Sequence, residues 1–426
     1  MGLAFTLIYI VLQFVSVAQI EALRGTKIMV VLSVLAGLGS LLPLAASARY
    51  IINRQFILMV FFLGWVLFSQ VPHGWIGGVV AIFLTFFPSS ILFFLVAING
   101  RSVGTLRIIG FVVIAMLTYL MASGIYSYVN HQGDEDTTYV MVQKVENAPP
   151  ILRLRATGII EDPNEFSQLL LSWVPILMMI GTKKKGLSMG LLIKIPIALL
   201  ILTSIYYSHS RGALIGVALL LVLAIPKKYR AVGVVLSIGG VIVLGVISKF
   251  AGAGRSVSLE GGRDRLDIWS DGLSFVKRSP IWGIGYGAFA DEATLTAHNS
   301  FLLCVAELGI VGYLLWLSVL IVSIRQLVVI HAAPALDENA MELQRWAKAL
   351  TMSLYVYLVT GFFLSQTYHA GLYLLLGLTA AVASIHAERH RVSEVIPQGG
   401  WWIRWALASC FASILLIYAM VRARAV

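Results

Sequence analysis

Long apolar runs separated by short, charged breaks set the pattern of this chain. They lie at 3–20, 28–48, 56–71, 79–98, 108–129, 167–181, 187–206, 212–225, 231–248, 299–322, 350–365, 370–386 and 404–421. Most are about 17–22 residues long, as helices crossing ~30 Å of hydrocarbon require. A membrane barrel would instead alternate apolar and polar positions over ~10-residue segments, and no such segments occur. The pattern predicts an all-α polytopic transmembrane helical bundle of about 12 spans, one integral membrane domain over 1–426. The first run lacks a basic leader and a small-residue cleavage site, so it reads as a retained helix.

Two stretches break the pattern, 130–166 and 249–298. The first opens acidic at Asp134-Glu135-Asp136 and runs through Pro149-Pro150 to Arg155 and Asp162-Pro163-Asn164. The second carries Leu266, Trp269, Leu273 and Val276 at helical spacing, which predicts a short amphipathic helix over 264–277. Asp264 is its expected N-cap, and Pro280 stops it before the turn Gly283-Ile284-Gly285-Tyr286-Gly287. Lysine and arginine in short loops mark the cytoplasmic side. Lys183-Lys184-Lys185 and Lys227-Lys228-Tyr229-Arg230 are the clearest anchors. Arg49 with Arg54, Arg101 with Arg107, and Arg389-His390-Arg391 agree on alternation. This orientation makes 130–166, 207–211 and 249–298 extracytoplasmic. Arg24, Lys27, Arg422 and Arg424 run against it.

Composition strengthens the membrane reading. Of 426 residues, 59% are hydrophobic and 12% charged, where a soluble domain carries about 25% charged. The net charge of +11 follows from cytoplasmic loops and implies no nucleic acid. The two cysteines, Cys304 and Cys410, fall inside predicted spans and imply no disulfide framework. No zinc-spaced Cys/His set, phosphate loop or dinucleotide fingerprint occurs, so neither metal nor other cofactor is expected.

Ionisable groups beside a bilayer by default mark a functional site. Arg211 stands in Ser208-His209-Ser210-Arg211-Gly212 at the outer end of a span. Its guanidinium fork matches phosphate oxygens, although a lone interfacial arginine more often contacts headgroups. Arg263 and Arg265 open the amphipathic helix; either local pairing with Asp264, Asp267 or Asp271 or a fixed direction against Trp269 would account for them. His298 stands at the mouth of a span beside Asn299. It is either a base near neutral pH or part of a capping pair, and Asn299 or Glu307 would orient it. His209 and His369 compete for the role of base. Arg155 and Asn164 complete the candidate set, at a turn whose chemistry alone says little.

Taken together these residues resemble the O-antigen ligase and polymerase superfamily, the Wzy-C group. Arg155-Ala156-Thr157-Gly158 with Asp162-Pro163-Asn164 is similar to its R-x-x-G…PN element, and Ser208-His209-Ser210-Arg211-Gly212 to its S-x-S-R-G element. Arg265-Leu266-Asp267-Ile268-Trp269, then Pro280 and Gly283-Ile284-Gly285, is similar to its R-x-x-x-W…P-x-x-G-x-G stretch. His298-Asn299-Ser300-Phe301, then Glu307-Leu308-Gly309, is similar to its HN…E-x-G element. The resemblance covers about 155–315.

It implies a GT-C-like fold and a metal-independent glycosyltransferase of the bacterial inner membrane, acting at its outer face. The donor would be an undecaprenyl-diphosphate-linked glycan and the acceptor a glycan or lipid A-core hydroxyl. Arg211 and Arg265 would hold the diphosphate, and His298 would act as base on the acceptor or position it. Arg155, Asn164, His209, Arg263, Asn299 and Glu307 would bind substrate. A polysaccharide polymerase shares the same motifs. A transporter of an anionic or lipid-linked substrate would rather place its charges at the bilayer midplane, often in paired repeats.

Overall fold

The computed structural model describes residues 1–15, 23, 26–130, 139–142, 151–156, 160, 162–180, 189–225, 227–229, 231, 234–235, 239, 260–293, 295–396 and 399–423; side chains at 139–142, 151, 189–191, 227 and 260–264 are outside it. The expected span at 231–248, the Asp134-Glu135-Asp136 run and Lys183-Lys184-Lys185 therefore lie wholly or mostly outside the described residues.

The chain is all-α in class. Its helices are α1 (Gly2–Val15), α2 (Ile28–Ile51), α3 (Arg54–Phe68), α4 (Gly77–Thr85), α5 (Phe87–Asn99) and α6 (Val103–Asn130). After two strands come α7 (Pro163–Met179), α8 (Met189–Ser208) and α9 (Arg211–Ala224). The remainder are α10 (Glu260–Arg278), α11 (Ala288–Ala293), α12 (Ser300–Ala332), α13 (Glu338–Gly361), α14 (Ala370–His390) and α15 (Trp401–Arg422). The strands β1 (Tyr139–Val142) and β2 (Ile151–Leu154) pair antiparallel, Tyr139 opposite Leu154, in a stretch expected to be a plain loop.

The span count differs from the expected dozen. Six described helices are long and apolar enough to cross a membrane, seven if α4 and α5 form one broken span. The physical reasons are local. The run at 79–98 bends by 56° between α4 and α5, where Pro88 stands in the first turn of α5 and removes a donor from the ladder. The run at 350–365 is the end of α13, whose beginning carries Glu338, Glu342, Arg345 and Lys348. The run at 212–225 gives a helix of only 14 residues, and residues 16–20 of the run at 3–20 lie outside the described residues.

The chain forms two compact units. One comprises Met1–Ala36, Gly104–Ser256 and Ala349–Thr360; the other comprises Gly37–Val103, Val257–Lys348 and Gly361–Val426. In the first, α7 packs on α8 and α9. A Cβ at Gly216 of α9 would stand 2.8 Å from Leu171, so glycine there permits the approach. In the second, α14 packs on α5 and α12, and α12 also meets α3, α10 and α15. The spanning window of α14 is 89% buried, whereas those of α2 and α15 are 17% buried. A helix apolar all round with most of its surface uncovered needs a lipid solvent.

Candidate active site

In the first unit the site residues sit where α8 ends and α9 begins. Ser208 closes α8, His209 takes the left-handed conformation at φ 49°, and Ser210 caps α9 by accepting from Ala213 N at 3.3 Å. The reversal leaves Arg211 at the first helical position, exposed. A cation there opposes the helix dipole, whereas an anion is favoured. Tyr206 stands beside His209, ring centroids 6.1 Å apart, and Tyr207 packs on Tyr128 at 4.6 Å.

An arginine outside the set of sequence candidates fixes this turn. Arg153, on β2, is buried; its Nε donates to Ser208 O at 2.9 Å and its Nη2 to Asn164 Oδ1 at 3.1 Å. Asn164 in turn donates to Asp162 Oδ1 at 2.7 Å. Asp162 also accepts from the Asn164 backbone N–H and so caps α7. Ser167 and Ser208 share a hydrogen bond of 2.7 Å between hydroxyls. Arg155, the residue singled out from sequence, is half-buried just beyond β2, before Ala156 at φ 63°. The spacing Arg153-Leu154-Arg155 held the clue, because strand alternation turns the two arginines alike. No strand was expected there.

In the second unit, α10 begins at Glu260, earlier than expected, so Asp264 lies inside the helix and is not its N-cap. Arg263 is on its first turns, with its side chain outside the described residues. Arg265 is half-buried and Trp269 is buried. The Trp269 indole donates to Ala297 O at 2.9 Å, which ties α10 to the residue before His298. His298 is half-buried at φ 47°, and Asn299 caps α12 by accepting from Phe301 N and Leu302 N, both at 3.0 Å. Ser300 donates to Leu364 O at 2.6 Å and accepts from Gln366 N, and Thr367 donates to Ser300 O at 2.7 Å. The imidazole therefore stands on a turn clamped by α10, α12 and the 362–369 segment. His369 caps α14 by accepting from Gly371 N.

Glu307 is buried, with Oε1 accepting from Phe289 N at 3.2 Å. Its Oε2 and the Tyr368 hydroxyl are both buried, and Asn299 Nδ2 is buried without a hydrogen-bond partner among the described residues. Burial first, and the Glu307 carboxylate next, push the Tyr368 phenol well above its ordinary value, so it stays protonated.

The glycine elements meet backbone to backbone. Ile310 N donates to Pro280 O at 2.8 Å, Ile284 N to Ala306 O at 2.9 Å and Gly285 N to Glu307 O at 2.9 Å. A Cβ on Gly283 would stand 2.2 Å from Glu307 O, and one on Gly309 2.1 Å from Ile281 O. Gly309 breaks the helical path inside α12 at φ 65°, ψ −174°. Outside the motifs, Trp65 donates to Leu308 O at 2.9 Å, His73 Nε2 bonds Gly283 O at 3.0 Å, and Gln70 donates to Tyr286 O at 2.7 Å. No local pattern near 65–73 announces these supports, which serve main-chain groups distant in sequence.

Among the described residues no group of three or more His, Cys, Asp or Glu is gathered to hold a metal ion. The fold class is that of an all-α polytopic membrane protein. Residues 196–317 match the model of a family described as O-antigen ligase (Wzy_C). That segment holds the 208–212, 265–285 and 298–309 elements but not 155–164. The match supports the O-antigen ligase and polymerase superfamily and a ligase- or polymerase-type function. No curated protein matches the chain significantly.

Proposed function

We propose that this protein transfers a glycan from an undecaprenyl-diphosphate carrier to an acceptor hydroxyl, working as a ligase at the outer face of the bacterial inner membrane. The observation that carries the reading is the O-antigen ligase match over 196–317, which contains Arg211, Arg265 and His298. The acceptor oxygen attacks the sugar C1, the C1–O bond to the diphosphate breaks, and the diphosphate leaves on the lipid. Arg211 and Arg265 meet the negative charge that grows on the leaving group, a task that fixed cations perform without a metal. The dipole at the N-terminal end of α9 adds to that field. His298 takes the hydroxyl proton or orients the hydroxyl. Asn164, Arg155, His209, Arg263, Asn299 and Glu307 shape or hold the substrate groups around them. The donor is already activated, so no nucleotide enters the step.

The test is transfer from a lipid-linked oligosaccharide donor by purified protein in detergent. Arg211→Ala and Arg265→Ala are expected to lower kcat by about 100-fold or more, with thermal unfolding unchanged. Full activity in both folded variants would remove the diphosphate role.

A further inference from the structure

We infer that Arg153 is a positioning residue for Arg211: a buried guanidinium that holds the 208–211 reversal in the one shape that aims Arg211 at an anionic ligand. The inference rests on the proposed diphosphate role of Arg211 and names the device behind it.

Arg153 sits on β2 and is 5% exposed. Its fork reaches two segments, Ser208 O at the end of α8 and Asn164 Oδ1 in the first turn of α7. The Ser208 carbonyl belongs to the C-terminal end of a helix, where a cation is favoured. A charge-assisted bond at that carbonyl fixes the last peptide before His209. His209 then turns left-handed, a conformation that disfavours most side chains, and Ser210 caps the next helix. Ser208 is pinned further by Ser167, by Ser210 N, which donates to Ser208 Oγ at 3.3 Å, and by its own donation to Ile205 O at 2.8 Å. Arg211 is three residues from the pinned carbonyl, with a capped helix fixing its backbone. The arrangement spends a buried charge, which needs full pairing, on a turn whose exposed product is a second arginine. A lysine in place of Arg153 would keep the charge but not the planar two-way fork.

The experiment uses the full chain in detergent and undecaprenyl diphosphate alone as the probe, with Kd measured for the parent, Arg153→Ala, Arg153→Lys, Arg211→Ala and the Arg153→Ala, Arg211→Ala double variant. Arg153→Ala is expected to weaken binding by about 2- to 100-fold, the span of coupling between residues in one network. The double variant is expected to bind no more weakly than Arg211→Ala alone. Arg153→Lys is expected to fold, as a cooperative thermal transition will show, and yet to fail to restore binding. Should Arg153→Ala not fold, Arg153→Lys decides by the same comparison. Parent-like affinity in folded Arg153→Lys, or penalties that multiply in the double variant, overturns the inference. Undiminished binding by Arg211→Ala is a different result; it removes the diphosphate role itself, and this inference with it.

Discussion

Residues held against their conformational preference fall mostly in or beside the motifs singled out from sequence. Among the described residues, four that are not glycine have positive φ: Ala156, His209, His298 and Arg391. Arg391 simply ends α14. The other three each lie in or beside a motif singled out from sequence, and such strain persists only where surrounding contacts overdetermine it. At His298 those contacts are the Trp269 bond on one side and the Asn299 cap on the other. Asn299→Ala is expected to cost about 0.5–2 kcal/mol, whereas Asn299→Asp retains the cap and much of that stability. Thermal unfolding in detergent reads the difference, and equal losses in both variants would mean that the cap contributes little. Residue types were legible here because charge and imidazole are rare in an apolar chain. Arg153 was not, since its meaning depends on a strand that no apolar periodicity announced.

At the scale of elements, two glycines of the motifs, Gly283 and Gly309, prove to be close-packing devices. Gly283 and Gly309 press main chain on main chain, so that Ile281 O and Glu307 O occupy the space a methyl group would need. Both also require positive φ. Gly283→Ala and Gly309→Ala are each expected to destabilise the folded protein by at least ~1–3 kcal/mol from backbone strain alone. The size of the fall in unfolding temperature checks this, and a neutral result at either position would show that the α10–α12 connection relaxes. The sequence made this turn visible as Gly-x-Gly but not its partner surface, which sits on α3 and the residues after it through Trp65, Gln70 and His73. Span boundaries were equally uneven. Uninterrupted runs such as 108–129 and 404–421 became α6 and α15, while proline and flanking charge broke or shortened others.

At the scale of the whole molecule, the proposed chemistry requires that the turn before α12 face away from the cytoplasm and that the basic turn after α9 face towards it. Cysteine accessibility tests this once Cys304 and Cys410, both buried and free, are replaced by serine. Leu295 is 54% exposed and Tyr229 is 53% exposed. Leu295→Cys is expected to react with a membrane-impermeant maleimide in spheroplasts, and Tyr229→Cys only after lysis. The reverse pattern would put His298 on the wrong side of the bilayer for a lipid-linked donor displayed outside.

The sparse covering of α15 also bears on handling the protein. Phe411 is 71% exposed and Leu415 is 51% exposed, along a helix that turns most of its flank outwards. Stripped of its bilayer, that flank is a sticky ridge of the kind that drives association in water. An amphiphile too small to sheathe it would leave copies adhering along α15, long before the well-packed interior around α14 had begun to loosen.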